Sequence, residues 1–238
     1  MNTRENALQS FYETDARIGT SANPRTNMAL DLLLSTRPKR VLDVGCGDAT
    51  TSSKTSRMAN FDIYGVDISS IAVEKAASYG VKAQRVDIST ESLPFENGFF
   101  DAVFATEILE HLMDPDFAIL EINRVLRTNG SLIVSTPNLG AWYNRLVLLI
   151  GFQPFSVEVS TRENFGRVLR KTSLPVGHIR SFTLPALVQF LRRYGFRTKL
   201  VNGCYFDHAP LVFLDKLFSR IPSLASDLIV LAEKNQTC

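Results

Sequence analysis

The chain has 238 residues, 45% of them hydrophobic and 21% charged, a balance ordinary for a globular protein and enough to bury one substantial core. Twenty-six lysines and arginines against 24 acids give a formal net charge of +2 with no long basic block, which argues against nucleic acid as the main partner. Cys46, Cys204 and Cys238 are odd in number and far apart, so they suggest neither a disulfide framework nor a zinc knuckle. The polar opening Met1-Asn2-Thr3-Arg4-Glu5-Asn6 leads into no secretory signal, and the apolar run Leu146-Val147-Leu148-Leu149-Ile150 is too short to span a bilayer. The expectation is one α/β domain across residues 1–238 in a reducing cytoplasm, with oligomeric state left open.

In chain order, the first buried strand is Arg40-Val41-Leu42-Asp43-Val44, which runs through the turn Gly45-Cys46-Gly47-Asp48-Ala49 into a helix. Phe61-Asp62-Ile63-Tyr64-Gly65-Val66 is the second strand, and Ser70 is expected to cap a helix carrying Ile71, Lys75, Ala76 and Tyr79. A third strand covers residues 81–86, and Asp101-Ala102-Val103-Phe104-Ala105 is the fourth. Asp114-Pro115 opens a helix with Ala118, Ile119, Ile122, Val125 and Leu126 inward and Asn129-Gly130 closing it. Leu132-Ile133-Val134-Ser135 is the fifth strand; Thr183 caps a helix burying Leu184, Leu187, Val188 and Leu191; residues 196–201 and 228–233 are two late strands. Strands alternating with helices of this length imply a parallel sheet. Residues 137–180 and 204–226 break the alternation and are expected to be a lid or acceptor region.

The glycine turn brings backbone close to a ligand at a helix N-terminus. Asp43, two residues before Gly45, would repel the pyrophosphate of a dinucleotide but attract S-adenosylmethionine, which carries an α-ammonium and a sulfonium. Thr50 stands where the dinucleotide fingerprint has glycine or alanine. Asp67, 20 residues past Gly47, suits both ribose hydroxyls of either cofactor. Asp87 can accept the adenine amino group, and Ile68 and Ile88 can sandwich the ring. His111 and His178 are the candidate general bases, of which at most one is expected to act, and no cluster has metal-ligand spacing.

These motifs, together with Leu93-Pro94-Phe95, Phe100-Asp101, Thr106-Glu107-Ile108-Leu109-Glu110-His111-Leu112 and the stretch from Glu121 through Arg124-Val125-Leu126 to Gly130, resemble the type 11 class I methyltransferases. That broad family includes ubiquinone and menaquinone C-methyltransferases, and the resemblance covers residues 40–138. It implies a Rossmann-like seven-stranded sheet of order 3-2-1-4-5-7-6 with helices on both faces, the last strand antiparallel, and a lid insertion after the fifth strand. The cofactor core then spans about residues 36–137. The resemblance further implies S-adenosylmethionine as cofactor, S-adenosylhomocysteine as product, and a cofactor site of Asp43, Gly45, Cys46, Gly47, Asp67, Ile68, Asp87, Ile88 and Thr106. Ala49 departs from the family's third glycine. A looser likeness of residues 137–146 to the methionine-biosynthesis W-type proteins supplies an alternative, a non-catalytic cofactor-binding partner of another enzyme. An NAD-type oxidoreductase is disfavoured by Asp43 and Thr50.

The acceptor is a small molecule or a lipid- or sugar-linked group. Trp142, Tyr143, Phe152, Phe155 and Phe165 among Arg145, Arg162, Arg167 and Arg170 suit an apolar or aromatic acceptor with an anionic end, and peripheral contact with a membrane is a related expectation. The competing expectation has Leu146, Leu149 and Ile150 packing on the core as an ordinary helix.

Overall fold

The computed structural model describes residues 23–168, 175–206 and 211–235. Chain order gives α1 (Pro24–Ser35), β1 (Arg40–Val44), α2 (Thr50–Ala59), β2 (Asp62–Asp67), α3 (Ser70–Ser78), β3 (Lys82–Arg85) and β4 (Phe100–Thr106). A 3-10 turn (Leu109–His111), α4 (Pro115–Val125), β5 (Leu126–Pro137), α5 (Trp142–Leu149), α6 (Leu184–Arg193), β6 (Phe196–Cys204), α7 (Val212–Phe218) and β7 (Asp227–Lys234) follow. The strands form a seven-stranded sheet ordered β3-β2-β1-β4-β5-β7-β6. The first five are parallel, and β7 lies antiparallel between β5 and β6. Strand order turns back between β1 and β4, so ligand space opens beyond the carboxyl ends of those strands.

Alternation along the strands divides the core between two faces. Leu42 and Val44 of β1 and Leu228, Val230 and Ala232 of β7 pack with Ile119, Ile122, Leu187 and Leu191 from α4 and α6. Val41 and Ile229, pointing the other way, pack with Ala29, Leu30 and Leu33 of α1. Helix starts follow their capping residues: Asn23, Asp114 and Thr183 accept the N–H of Thr26, Phe117 and Ala186.

Two local expectations need correction. Ser69, not Ser70, caps α3, accepting the Ala72 N–H. Asn129-Gly130 does not close α4, which ends at Val125; Leu126 is already extended, at φ −77° and ψ 134°, and β5 begins there. The turn residues instead occupy the irregular stretch of the β4–β5 ladder between the Phe100 and Ala102 pairings. Leu184 and Val188 of α6 are half-buried rather than core. Helix α1 was not anticipated, although Asn23-Pro24 followed by apolar positions is a helix start.

Several motif residues prove to be braces. Asp101 accepts the backbone N–H of Lys39 and Arg40 at 3.0 and 2.8 Å and the Arg127 Nε–H at 2.7 Å, pinning the start of β1. Glu121 accepts the Leu93 N–H at 2.8 Å while Arg124 donates to the carbonyls of Leu93 and Phe95, which fixes the turn ahead of β4.

After β5, α5 buries Asn144 and Val147 rather than the leucines of the competing expectation. Leu146, Leu149 and Ile150 are 53%, 82% and 62% exposed, so they do not pack on the core. Helix α5 is held by polar and aromatic contacts. Trp142 Nε1 donates to Asp215 at 3.0 Å, its ring stacks on Phe218, and Asn144 bridges the Asn138 carbonyl and the Phe155 N–H.

Candidate active site

The turn after β1 is knitted to β2, because Gly45 and Cys46 both donate to the Val66 carbonyl, at 2.8 and 3.1 Å. Gly45 and Gly47 have φ of +70° and +53°, a region that favours glycine. A Cβ on Gly45 would lie 2.8 Å from Ile108 Cδ1, whereas one on Gly47 would meet nothing within 4 Å. The backbone at Gly47 therefore faces open space.

Asp67, at the end of β2, accepts the Gly47 N–H through Oδ2 and the Ser69 N–H through Oδ1, each at 2.9 Å. Two backbone donors thus fix its carboxylate plane and leave further lone pairs for a ligand. Asp43 lies beneath, almost fully buried. Burial pushes its carboxyl up to about 7, the Ser52 hydroxyl pulls the other way, and the Asp67 charge adds to the rise. Cys46 is buried in the same place, and its thiol is pushed well above the usual range by burial and the neighbouring aspartates. Among the described residues, neither Asp43 nor Asp67 forms an ion pair. A buried and a half-buried acid at an open glycine turn suit a cationic ligand and repel a pyrophosphate.

Ala49 has the left-handed φ of +52° at the start of α2, with no side-chain cap. The family's glycine removes that strain. Ala49→Gly is expected to stabilise the fold by about 1 kcal/mol, read from urea unfolding midpoints; an unchanged or lower midpoint would contradict it.

Beside Asp67, β3 ends with the Val86 N–H donating to the Asp67 carbonyl at 2.9 Å, which brings Asp87 to the same edge. The Asp87 Oδ1 accepts the Ser89 N–H at 3.0 Å. Ile68 is half-buried at the rim, and Ile88 is 6% exposed within the core cluster. Thr106 ends β4 opposite Ser135.

Beyond Thr106 lies a second polar group, which joins the first through Ile108 over Gly45. Glu107, at φ +56°, accepts the Ser135 hydroxyl at 2.8 Å and pairs with Arg25 at 2.8 Å; Arg25 also pairs with Asp227 at 3.3 Å. Burial works against the Arg25 cation, but Glu107, Asp227 and Glu110 outweigh it and keep it charged. Glu110 is 1% exposed, and burial together with the Glu107 charge raises its carboxyl well above the ordinary range.

His111 and His178, 67 positions apart in the chain, come together with ring centroids 5.0 Å apart. His111 Nδ1 lies 3.1 Å from the Gly177 carbonyl, an acceptor, so Nδ1 carries the proton and Nε2 is the basic nitrogen. Burial lowers the His178 imidazole below its usual value, so it is neutral at pH 7. Its segment is held by Glu158, whose carboxylate accepts the N–H groups of Val176, Gly177 and His178 at 2.7, 2.9 and 3.1 Å. Ile179 and Arg180 donate to the Glu110 carbonyl at 2.9 and 3.0 Å. Thus the end of the expected lid is tied to the turn after β4.

The expected residues fall into two adjoining groups: Asp43, Gly45, Cys46, Gly47, Asp67, Ile68, Asp87 and Ile88 around the glycine turn, and Thr106, His111 and His178 beyond β4. Sequence reasoning assigned no role to Arg25, Glu107, Glu110 or Asp227. Two acids three residues apart beside a histidine were the available signal.

Residues 42–134 match the family described as the methyltransferase domain. A ubiquinone biosynthesis O-methyltransferase of Xanthomonas oryzae is 30% identical over 174 residues, 71% of this chain and 66% of the relative. The chain belongs to the class I S-adenosylmethionine-dependent methyltransferases. It spans just under two thirds of the length of that relative. The O-methyltransferase resE of Aspergillus sclerotiorum is 31% identical over 152 residues, 60% of this chain and 58% of the relative. A Legionella pneumophila malonyl-[acyl-carrier protein] O-methyltransferase is 30% identical over 129 residues, 52% of this chain and 45% of the relative. The methyltransferase fold is shared with a possible histamine N-methyltransferase of Thermotoga maritima, with TM-score 0.60 and 20% identity over 87% of this chain and 88% of that one. It is shared equally with the [4+2]-cyclase SpnF, with TM-score 0.62 and 22% identity over 94% and 86%.

Proposed function

We propose that this methyltransferase binds S-adenosylmethionine across the carboxyl ends of β1 to β4 and methylates an oxygen of an apolar or amphipathic small-molecule or lipid- or sugar-linked acceptor. The observation that carries the reading is the adjacency of the two groups: a buried acidic cradle with an open glycine turn, and an imidazole pair just beyond it. When bound, the cofactor supplies a methyl group already activated by a sulfonium. Asp67 accepts the ribose hydroxyls, and Asp43 attracts the cationic end through the turn. Asp87, Ile68 and Ile88 hold the adenine, while Cys46 and Thr106 line the space between. His111 or His178 takes the proton that an acceptor hydroxyl must lose, and the remaining contribution is orientation and exclusion of water. The choice of oxygen draws on relatives described as O-methyltransferases.

The acceptor side carries an apolar surface. Leu148, Leu149, Ile150 and Phe213 are 62%, 82%, 62% and 77% exposed, and the stacking of Trp142 on Phe218 joins α5 to α7. Arg145 of α5 and Arg220, two residues after α7, are near this surface in the chain. We therefore read peripheral contact with an anionic lipid surface as the route by which an amphipathic acceptor arrives. Among the described residues, no helix is long and apolar enough to cross a membrane. Leu149→Glu is expected to weaken co-sedimentation with phosphatidylglycerol vesicles severalfold while leaving cofactor affinity unchanged; equal co-sedimentation would remove the lipid from the account. A reducing cytoplasmic setting agrees with Cys46, which is buried and, among the described residues, has no disulfide.

Cofactor affinity should depend on pH. Only ionised Asp43 attracts a cation, and its carboxyl titrates near 7, so raising the pH from 6 to 8 should tighten S-adenosylmethionine binding about tenfold. Asp43→Asn should bind more weakly at pH 8, lose that slope and gain no affinity for NAD. Calorimetry at the two pH values decides it, and a slope that survives the substitution assigns it to another group.

Production of S-adenosylhomocysteine tests the function itself. Mass spectrometry of the purified chain with S-adenosylmethionine and a panel of phenols, fatty acids and prenylated quinols is expected to show product only with an acceptor present. Cofactor binding without turnover across hydroxyl and carboxyl acceptors would favour a non-catalytic partner protein.

A further inference from the structure

The imidazole pair belongs to a three-residue cluster whose arrangement exceeds what proton transfer needs. Glu110, His111 and His178 each present one donor atom, and these atoms lie within 4.8 Å of one another. Glu110 is 1% exposed, and neither of its carboxyl oxygens has a hydrogen-bond donor of ordinary geometry, the Thr136 hydroxyl offering only a poorly aligned one. A buried carboxyl group without a well-formed hydrogen bond is unfavourable, and a bound cation would supply the missing partner.

Charge points the same way. Arg25 forms its ion pairs with Glu107 and Asp227 and none with Glu110, so the Glu110 carboxyl is left for another cation to engage. We propose that Glu110, His111 and His178 bind a divalent transition-metal ion of the zinc or iron(II) class. Two imidazoles with one carboxylate suit such ions and do not suit magnesium or calcium, which prefer all-oxygen sets. The ligands are already braced: the His111 ring is held by the Gly177 carbonyl through Nδ1, and Glu158 fixes the backbone that carries His178. Metal–ligand distances of about 2.0–2.2 Å put ligand atoms about 3–3.5 Å apart in a closed site. Binding therefore needs only a small inward movement of the turn bearing His178, which already hangs from the Glu110 carbonyl through Ile179 and Arg180.

The site stands on this geometry whether or not the chain transfers a methyl group. Within the methyltransferase reading, three protein ligands leave coordination open, so an acceptor hydroxyl on the metal would pass its proton to solvent water as its oxygen takes the methyl group from the sulfonium. The histidine lone pairs that would otherwise take up that proton would then hold the ion.

The test is titration of chelator-treated, untagged full-length chain with Zn²⁺, followed by calorimetry, with Co²⁺ visible absorption reporting coordination. One equivalent is expected to bind saturably. His111→Ala and His178→Ala should each weaken binding at least tenfold and change the Co²⁺ spectrum, and Cys204→Ser should do neither. Circular dichroism and S-adenosylmethionine binding on the same samples confirm that the variants are folded. Absence of saturable Zn²⁺ binding, or affinity unchanged in both folded histidine variants, overturns the proposal. Metal binding with no cofactor binding would leave the metal site standing and remove the methyltransferase reading; the reverse would remove only the metal.

Discussion

Replacing both His111 and His178 with alanine is expected to lower methyl transfer by about 10²-fold or more while S-adenosylmethionine affinity holds. The two rings sit 5.0 Å apart beyond the end of β4, outside the acidic cradle around Gly47, so the loss should fall on kcat with an identified acceptor and not on cofactor Kd. His111 alone should account for most of the loss, because the Gly177 carbonyl fixes its tautomer and leaves Nε2 as the basic atom. A double variant with full activity would show that the chain orients its reactants and does no proton chemistry.

Asp67→Ala is expected to weaken S-adenosylmethionine binding by about 2 kcal/mol, or about 30-fold, because a charge-assisted contact to two hydroxyls is lost and the hydroxyls go unpaired. The carboxylate is held in place by the N–H groups of Gly47 and Ser69, both at 2.9 Å. Alanine therefore also frees the glycine turn, and part of the effect is loss of preorganisation. Asp67→Asn separates the two contributions, since its amide oxygen keeps one of those acceptor positions. It should recover part of the turn's order without the charge. Calorimetric titration of the three proteins reads the result, and an unchanged dissociation constant in Asp67→Ala would end the ribose assignment.

Much of the arrangement around the glycine turn was legible from sequence because it is built from local signals. A strand, a glycine turn and an acid at the next strand end are each written in a few adjacent residues, and the parallel sheet then brings Asp43, Gly47 and Asp67 together. The second group was less legible because it depends on distant partners. Glu110 stands in a motif that was quoted, yet its isolation from hydrogen-bond donors depends on burial that no local pattern records. Arg25 reaches Glu107 and Asp227 only because α1 packs on the face of the sheet opposite α4 and α6. The misreading of Asn129-Gly130 has a similar cause: a turn signal after a helix ordinarily ends it, but here β5 begins at Leu126 and absorbs the turn within its own ladder. For the leucines of α5 it is the competing expectation that fails. Their spacing suggested packing on the core, whereas Trp142 and Asn144 fix the helix through polar bonds and leave the leucines at the surface.

The central claim is that the acidic glycine turn is a site for a cationic nucleoside cofactor, and calorimetric titration of the purified chain with S-adenosylmethionine and, separately, with NAD tests it most directly. The account predicts saturable binding of one equivalent of S-adenosylmethionine, weakened in Asp43→Asn and Asp67→Ala, with no measurable binding of NAD. Binding of NAD in preference to S-adenosylmethionine, or S-adenosylmethionine affinity indifferent to both aspartates, would contradict it.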